Sequence, residues 1–362
     1  MFSGIGGFRL GLERTGHYEH VWSNDINEYA NKIYTTRFGE EAHYSGDIRG
    51  VDARQIPDHE LLCGGFPCQA FSVAGKRKGF EDTRGTLFFE ICRIIEAKRP
   101  KLLLLENVKG LLNHDGGRTF TVILQSLDEL GYWVEWQVLN SKHFGVPQNR
   151  ERVFIIGHLR GTSGREVFPI TETNGTINQY IREERGLEPY IQNIPHGYNT
   201  GFKKTLPSLK SNSGAQYNEL LVLPILTPDR QEKRQHGRRF KDNGEPMFTL
   251  TGQDKHGVMI YNIQSSGRGN GKIEHRIREG ISQIGTGSGG NTRQEKTVVK
   301  EDLRIRRLTP IECERLQGFP DNWTNGISET QRYKCLGNAV TVNVIEYLGS
   351  RTKLSLCVGD EK

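Results

Sequence analysis

The sequence of 362 residues lacks the features that mark membrane, secreted or metal-binding chains. No apolar run approaches the roughly 20 residues that span a bilayer. No charged flank followed by an apolar core marks a signal peptide. The 6 cysteines form no CxxC pair and no Cys/His set with zinc spacing. We therefore expect a cytoplasmic protein that uses no metal and is long enough for two domains with separate cores.

Basic residues are in excess in one region. Between Asp229 and Arg307, lysine and arginine outnumber aspartate and glutamate, and the whole chain has a formal net charge of +6. An excess of positive charge suits a polyanionic partner such as a nucleic acid. A solvated surface explains the charge equally well, so composition leaves the partner open.

A glycine-rich turn, FSGIGG, stands at the start of the chain and opens a helical pattern that Gly16 is expected to end. Asp25 follows a predicted short strand, and Asp47 stands where another strand could end. A glycine turn with an acid about 20 residues further on is typical of sites for nucleoside-bearing cofactors. Helix capping is the alternative role for both acids. Only Met1 and Phe2 precede the turn, so we expect a very short or clipped first strand.

A cysteine and a glutamate follow two predicted strands. Cys68 comes after the strand Glu60 to Gly64, and Glu106 ends the apolar strand Lys101 to Leu105. Neighbouring parallel strands bring such residues to the same edge of a sheet, where open α/β folds place their chemistry. We interpret Cys68 as a nucleophile and Glu106 as its acid/base partner. A cap or a salt bridge is the alternative role for Glu106.

Two arginines precede another strand in QNRERVFIIG, from Gln148 to Gly157. Alternation places Arg150 and Arg152 on one face, where they suit a carbonyl oxygen or phosphates. A surface ion pair with Glu151 is the alternative.

The sequence pattern changes from about Gly161, where polar loops and short strands are predicted in place of helices. Order returns at Thr309, a predicted N-cap followed by Pro310 in a helix that stops at Gly318. A turn at Gly337–Asn338 is predicted to open a closing helix that packs on the first sheet. We predict a discontinuous first domain, 1–175 and 328–362, with residues 176–327 inserted as a second domain and hinge.

These stretches together resemble the DNA cytosine-5 methyltransferases in their bacterial single-chain form. The resemblance is carried, in order, by FSGIGG, the acid after SN, GDI, GGFPCQAFS, ENV, QNRERVFIIG, RLTPIECERLQGFP and LGNAV. It implies an α/β fold with a doubly wound, mostly parallel sheet, the S-adenosylmethionine-dependent methyltransferase fold. The inserted part would be a smaller, irregular, β-rich target-recognition domain.

The resemblance implies methyl transfer to C5 of a cytosine rotated out of duplex DNA. Cys68 would attack C6, Glu106 would hold N3 and the exocyclic amine, and Arg152 would hold O2, with Arg150 supporting the site. The base that removes the C5 proton is not identified. The methyl donor would be S-adenosylmethionine, without a metal, bound by Phe2, Gly4, Gly6, Asp25, Ile26, Asp47, Ile48, Pro67, Leu87, Asn338 and Val340. Asp25 stands where many members have glutamate.

For DNA, the resemblance implies that Ser72 and the loop after it close over the duplex. The expected contacts are Ser72, Lys76, Arg77, Lys78 and Arg84, together with recognition residues in polar loops, His236, Arg238, Arg239, Thr249, Thr251 and Gln253. The partner would be double-stranded DNA, with no membrane, and the chain would act as a monomer in the cytoplasm at the nucleoid. The recognised sequence and a separate cognate restriction endonuclease stay open.

Three other functions compete with this interpretation. An RNA methyltransferase of the same family would modify transfer RNA, although the large middle region favours DNA. A non-catalytic DNA-binding protein on the same scaffold is opposed by the intact Cys68, Glu106 and Arg152. A nicotinamide-dependent dehydrogenase rests on the glycine turn alone.

Overall fold

The computed structural model describes most of the chain and divides it into two compact units. Unit 1 comprises Met1–Pro189, Thr249–Gln253 and Thr309–Lys362, and unit 2 comprises Tyr190–Phe248 and Asp254–Leu308. No helix within the described stretches has the length and apolar character that a membrane crossing requires. The described residues are 1–67, 87–162, 166–170, 216–228, 238–241, 245–252, 254–266, 273–278, 281–286 and 299–357.

The glycine turn is followed by a small βαβ arrangement. Helix α1 (Gly7–Arg14) begins after Gly6, which has a left-handed φ of 88°, and it ends before the predicted stop at Gly16. Strands β1 (Ser23–Asp25) and β2 (His43–Ser45) pair in parallel, with α2 (Glu28–Phe38) between them in the chain. The side chain of Asn27 caps α2 by accepting a hydrogen bond from the Ala30 N–H at 2.9 Å. This is the connection expected of a doubly wound fold.

Unit 1 also contains a four-stranded sheet. In spatial order its strands are β3 (Leu61–Gly65), β4 (Leu102–Val108), β6 (Glu151–Leu159) and β5 (Tyr132–Asn140). The expected parallel pairing holds for β3 with β4, but β6 is antiparallel to both of its neighbours. A parallel crossover needs about a dozen or more residues, and the segment between β5 and β6, residues 141–150, is shorter. The described part of this sheet is therefore mixed rather than mostly parallel.

The first residues of the chain connect the two sheets of unit 1. The Met1 amino group donates to the Cys63 carbonyl oxygen on β3 at 2.8 Å, and the Ser3 N–H donates to the Asn24 oxygen on β1 at 2.8 Å. A Cβ on Gly64 would lie 2.6 Å from the Met1 oxygen. No strand is assigned here, yet the backbone pairs on both sides, as a short central strand would.

Helices cover both faces of the four-stranded sheet. Leu103 and Leu105 of β4 join an apolar cluster with α3 (Leu87–Lys98) and α4 (Arg118–Glu129). Leu102 and Leu104 join a second cluster with α1 and the C-terminal helix. Side chains alternate between the two faces of a strand, so a continuous apolar run such as LLLL serves both clusters. The predicted packing of the closing helix on this sheet is confirmed.

The C-terminal part of unit 1 contains α5 (Pro310–Leu316), α6 (Glu329–Asn338) and α7 (Val342–Cys357). The predicted capping box at Thr309 is confirmed, since Thr309 and Glu312 each accept a hydrogen bond from the other's backbone N–H. α5 ends at Leu316, and Gly318 follows with a φ of +79°. The predicted turn at Gly337–Asn338 is wrong, because these residues are the last of α6 and the chain breaks at 339–341 instead.

The described residues of unit 2 are rich in strands. β7 (Gln216–Leu226), β8 (His256–Ser266) and β11 (Val299–Arg307) form an antiparallel sheet with β8 in the centre. β9 (Ile273–Arg278) and β10 (Ile281–Thr286) form a hairpin. Unit 1 resumes at Thr309, whereas the sequence-based division placed the return at residue 328. The division into functional domains stays a prediction.

The packing of α1 on α7 depends on a missing side chain at Gly11. A Cβ there would lie 2.7 Å from the Ile345 Cβ and 2.9 Å from the Val342 oxygen. We expect Gly11→Ala to lower the free energy of unfolding by about 1–3 kcal/mol in urea denaturation, because overpacking outweighs the helix propensity of alanine. Gly110→Ala is the control, since its Cβ would lie 4.0 Å from the nearest neighbouring atom. Equal stability of the two variants would contradict this packing.

Candidate active site

A carboxylate and a guanidinium meet on adjacent strands of the four-stranded sheet. Glu106 lies within β4, opposite Phe154 of β6, and Arg152 lies two residues before Phe154. The Arg152 Nε is 3.0 Å from the Glu106 Oε1, and the side chains are 15% and 13% exposed. Glu106 is therefore inside the strand, two residues before its end at Val108, and not at its end as predicted.

Burial dominates the electrostatics of this pair. It raises the pKa of Glu106, while Arg152 and Arg150 oppose the rise. It lowers the pKa of Arg152, and the carboxyl of Glu106 opposes that change. Both shifts favour the neutral forms, because a charge removed from water loses solvation that one neighbour only partly replaces. The carboxyl of Glu106 is thus suited to carry a proton.

Neighbouring backbone shapes the space around the carboxyl. Gly65 is the register partner of Glu106, and a Cβ on Gly65 would lie 3.0 Å from the Glu106 Oε2. Any larger residue at this position would press on the carboxyl oxygen. Gly65 is the last residue of β3 and makes room for Glu106.

Asn107 holds the backbone that leads toward Cys68. Its side-chain amide donates to the Phe66 carbonyl oxygen at 2.8 Å, its Oδ1 accepts from the Val108 N–H, and it is buried. Pro67 follows Phe66 and is exposed. The motif ENV contains Asn107, but sequence reasoning assigned a role only to its glutamate. A polar amide directly after the apolar run LLLL was the signal that could have identified it.

Arg150 differs from Arg152 in its partners. It is 2% exposed and donates to the carbonyl oxygens of Leu250 (2.9 Å), Gly337 (3.1 Å) and Ala339 (2.7 Å). Burial, followed by repulsion from Arg152, lowers the pKa of Arg150 to about 9, with Glu106 opposing. Its described side-chain partners are backbone carbonyls, and Arg152, not Arg150, lies beside the carboxyl of Glu106. A supporting role for Arg150 stays a prediction.

The glycine turn is bound to Asp25. The Gly4 N–H donates to the Asp25 Oδ2 at 2.7 Å, and the Asn27 N–H donates to its Oδ1 at 2.8 Å. Phe2, Gly4 and Gly6 all have positive φ, at 53°, 52° and 88°. A Cβ on Gly4 would meet nothing within 4 Å. The carboxylate thus holds a glycine turn that has open space beside it.

The residues expected around an adenine are placed differently from one another. Ile26 is 66% exposed directly after Asp25, whereas Ile48 is 2% exposed and belongs to a core cluster. Asp47 caps a short turn by accepting from the Arg49 N–H at 3.0 Å, and it forms an ion pair with the Arg49 guanidinium. These contacts lower the pKa of Asp47. The capping role is thus the one that the structure contains, and a cofactor role for Asp47 stays a prediction.

The other expected cofactor residues lie in unit 1. Leu87 is the first residue of α3 and is partly buried against the core. Asn338 is exposed at the end of α6. Val340 packs on the start of α1, where a Cβ on Gly7 would lie 2.8 Å from the Val340 Cγ1. The exposed Ile26 offers an apolar surface for a base, and the neighbouring Asp25 offers a carboxylate for ribose hydroxyls. Together with the glycine turn, they suit a nucleoside group.

Most of the residues expected to contact DNA are outside the described residues. The expected nucleophile, Cys68, is outside them as well. Arg238 is exposed and its guanidinium is 2.6 Å from the Glu245 carboxylate, and Arg239 stacks over the ring of Phe240. Thr249 donates to the Asn149 carbonyl oxygen within unit 1. Thr251 also lies in unit 1. Those that fall outside the description are Cys68, Ser72, Lys76, Arg77, Lys78, Arg84, His236 and Gln253.

Sequence reasoning also missed a buried polar junction. Gln148 donates to the Leu316 carbonyl oxygen at 2.8 Å, and its Oε1 accepts from the Leu250 N–H at 3.0 Å. Gln317 donates to the Leu336 oxygen at 2.8 Å and accepts from the Thr341 hydroxyl at 2.9 Å.

Across the described residues, no group of three or more His, Cys, Asp and Glu is placed to hold a metal ion.

Comparison with known proteins gives consistent matches along the chain. A family model described as "C-5 cytosine-specific DNA methylase" matches residues 1–353. Type II methyltransferase M1.ScrFI of Lactococcus lactis subsp. cremoris is 38% identical over 97% of this chain and 76% of its own. Type II methyltransferase M.HhaI of Haemophilus parahaemolyticus is 35% identical over 98% of this chain and 94% of its own. A crystal structure of a DNMT2 variant of Spodoptera frugiperda has a TM-score of 0.55 at 19% identity, covering 97% of this chain and 98% of its own. That last likeness concerns the fold.

The raised pKa of Glu106 predicts how stability depends on pH. The folded state holds this proton at pH values where the unfolded carboxyl, with an ordinary pKa of 4.5, has lost it. Its contribution to stability is therefore present below the ordinary pKa and is lost as the pH rises through the folded pKa. We expect the difference in free energy of unfolding, wild type minus Glu106→Gln, to decrease as the pH rises above the ordinary pKa of 4.5. A difference that grows over this range would show that attraction to Arg152 outweighs burial.

Proposed function

Because the chain belongs to the C-5 cytosine-specific DNA methylase family, we propose that it methylates one cytosine within a specific short sequence of duplex DNA, using S-adenosylmethionine. The chain is a DNA (cytosine-5-)-methyltransferase by family. The observation that carries the finer proposal is the buried pair of Glu106 and Arg152 beside the backbone that leads to Cys68.

This pair suits the edge of a cytosine. A cytosine presents an acceptor at O2, an acceptor at N3 and a donor at its exocyclic amine. The Arg152 guanidinium can donate to O2, and the Glu106 carboxyl can donate its proton to N3 while its other oxygen accepts from the amine. These atoms are paired inside a duplex, so the base has to be rotated out of the stack to reach the pair.

The proposed reaction proceeds through a covalent adduct. The Cys68 thiolate attacks C6 and forms an S–C6 bond, and the electron pair of the C5=C6 bond moves toward C5. Proton donation by Glu106 to N3 stabilises the charge that develops on the ring. C5 then gains the methyl group, and a base removes the C5 proton. Elimination of the Cys68 thiolate restores the C5=C6 bond, and N3 returns its proton to Glu106.

S-adenosylmethionine supplies the methyl group as an electrophile when it is bound. Asp25 would accept from the ribose hydroxyls while it continues to hold the Gly4 N–H. The exposed Ile26 would cover one face of the adenine, and the open space at Gly4 leaves room for the cofactor near the turn. Asn338 and Val340 would complete the pocket, and the buried Ile48 would contribute from the core side.

Partners and setting follow from the same proposal. The relatives are named type II methyltransferases, which supports duplex DNA as the substrate and a restriction endonuclease that acts separately. We expect a monomer in the cytoplasm at the nucleoid, because one chain carries every residue that the chemistry uses. Arg238 and Arg239, together with the polar loops around them, are proposed to contact the recognised sequence.

The reaction is tested by methyl transfer from labelled S-adenosylmethionine to duplex DNA, followed by base-resolution mapping of the product. We expect methylcytosine at one short motif with the wild type and none with Cys68→Ala, because alanine cannot form the S–C6 bond. Cys313→Ala is a control, since Cys313 is buried in α5 and has no proposed role in the reaction. Transfer RNA as the alternative acceptor distinguishes the RNA-modifying branch. Methylation by Cys68→Ala at the wild-type rate would contradict the covalent route.

The role of Glu106 is tested separately by kinetics. Glu106→Gln retains the shape of the side chain but loses the proton that would move to N3. We expect kcat to fall by about 10²–10⁴-fold, with duplex binding retained. Glu151→Gln is the matched control, because Glu151 lies on β6 and its exposed carboxylate pairs with Lys109, 3.0 Å away. An unchanged kcat in Glu106→Gln would refute the acid/base assignment.

A further inference from the structure

A short segment of unit 1 is isolated in sequence from the rest of that unit. The segment Thr249–Gln253, here called the docked segment, belongs to unit 1, but the residues on both sides of it in the chain, Phe248 and Asp254, belong to unit 2. Its described residues are 249–252. The chain therefore leaves unit 2, contributes a few residues to unit 1 and returns to unit 2.

Three consecutive residues ahead of β6 hold the docked segment. Gln148 accepts from the Leu250 N–H at 3.0 Å, and Arg150 donates to the Leu250 carbonyl oxygen at 2.9 Å. The Asn149 carbonyl oxygen accepts from the Thr249 hydroxyl. Both backbone polar groups of Leu250 are thus satisfied by side chains of this tripeptide, much as a neighbouring strand would satisfy them.

The same guanidinium holds the break between α6 and α7. The Arg150 Nη2 donates to the Gly337 oxygen at 3.1 Å and to the Ala339 oxygen at 2.7 Å. Two proposed cofactor residues are close by: Asn338 is the last residue before this break, and Val340 lies within it. A single side chain therefore joins the docked segment to the backbone of the proposed cofactor pocket.

The docked segment and α6 are in direct contact. A Cβ on Gly337 would lie 2.4 Å from the Gly252 nitrogen and 2.4 Å from the Thr251 carbonyl carbon. Those neighbours are backbone atoms, which have no flexible side chain that could move aside. The contact therefore requires that residue 337 has no side chain.

Arg150 also connects to the catalytic pair along the chain. Its N–H donates to the Asn140 Oδ1 at 3.1 Å, which fixes the backbone immediately before β6. Arg152 follows two residues later and contacts Glu106. A shift of the docked segment would therefore move Arg150. It would thereby change the backbone positions at the cofactor break and at the start of the strand that carries Arg152.

We propose that Arg150 is a positioning residue that couples the docked segment to the cofactor break, so that engagement of the recognised DNA sequence strengthens cofactor binding. The inference rests on the proposed function, because duplex DNA is the ligand that engages the recognition residues flanking the docked segment. A buried guanidinium is weak evidence for stability, since desolvation offsets much of what its contacts return. Its contacts with two distant stretches of backbone are better explained by a need to keep them in one arrangement.

The test measures coupling between two ligands. S-adenosylhomocysteine, which cannot transfer a methyl group, is titrated by calorimetry into the full chain alone, with the duplex identified by methylation mapping, and with a duplex changed at one base pair. We expect the recognised duplex to lower the Kd of S-adenosylhomocysteine by about fivefold or more, and the changed duplex to do so much less. A wild type with equal Kd values in all three titrations would overturn the proposal.

Gly337→Ala is the decisive variant, because its methyl group separates the docked segment from α6 and leaves Arg150 intact. We expect the variant to fold, since alanine favours the helix, and its Kd for S-adenosylhomocysteine alone is the reference against which its own coupling is measured. We expect the recognised duplex no longer to lower the Kd. Coupling equal to that of the wild type in a folded Gly337→Ala would overturn the proposal.

A second series of variants changes Arg150 itself. Arg150→Met should abolish the coupling, and Arg150→Lys should restore part of it, because an ammonium group donates hydrogen bonds but cannot span the carbonyls as a planar guanidinium does. Arg160→Met is the control, since Arg160 is exposed and pairs with Asp128 outside this junction. Equal coupling in Arg150→Met and wild type would overturn the proposal. Absence of methyl transfer by the wild type would instead defeat the proposed function, and the inference with it.

Discussion

Partial burial of the pair formed by Glu106 and Arg152 is the constraint on which much of unit 1 depends. Removing these two groups from water penalises their charged forms, and the contact of 3.0 Å between them offsets part of that cost. The pairing of β4 with β6 supplies the register, Gly65 leaves space for the carboxyl, and Asn107 holds the adjoining backbone. Apolar clusters cover both faces of the sheet to which β4 and β6 belong.

Local signals in the sequence predicted the elements that depend on local physics. The capping box at Thr309 and the existence of a strand at the apolar run LLLL were both predicted correctly, because each is a short pattern with a direct structural cause. The strand continues past Glu106 to Val108, which the run did not indicate. The antiparallel pairing of β6 and the partners of Arg150 were not predicted. The acceptors of Arg150 are backbone carbonyls 100, 187 and 189 residues away, and a carbonyl has no sequence signature.

The turn predicted at Gly337–Asn338 was wrong because a glycine in a sequence does not reveal why it is needed. The residue is used for two different physical reasons, which look the same in a sequence. Gly6 has a φ of 88° at the start of α1, a conformation that side chains disfavour. Gly337 lies in a helix, and only the missing bulk matters, because backbone atoms occupy the place of a Cβ. Only the three-dimensional neighbours of Gly337 separate these two uses.

The long sequence separation of the Arg150 contacts has a consequence for biosynthesis. A chain emerging from the ribosome N-terminus first contains Glu106, Arg152 and the whole four-stranded sheet well before Leu250 and Ala339 exist. Until those carbonyls arrive, the guanidinium of Arg150 has no partner for its three longest-range bonds, and water has to satisfy it. Contacts between residues that are this far apart in sequence form slowly and late in folding. The ring of contacts around the site is therefore completed only near the end of synthesis, so a nascent fragment that already holds the catalytic pair still lacks its final support.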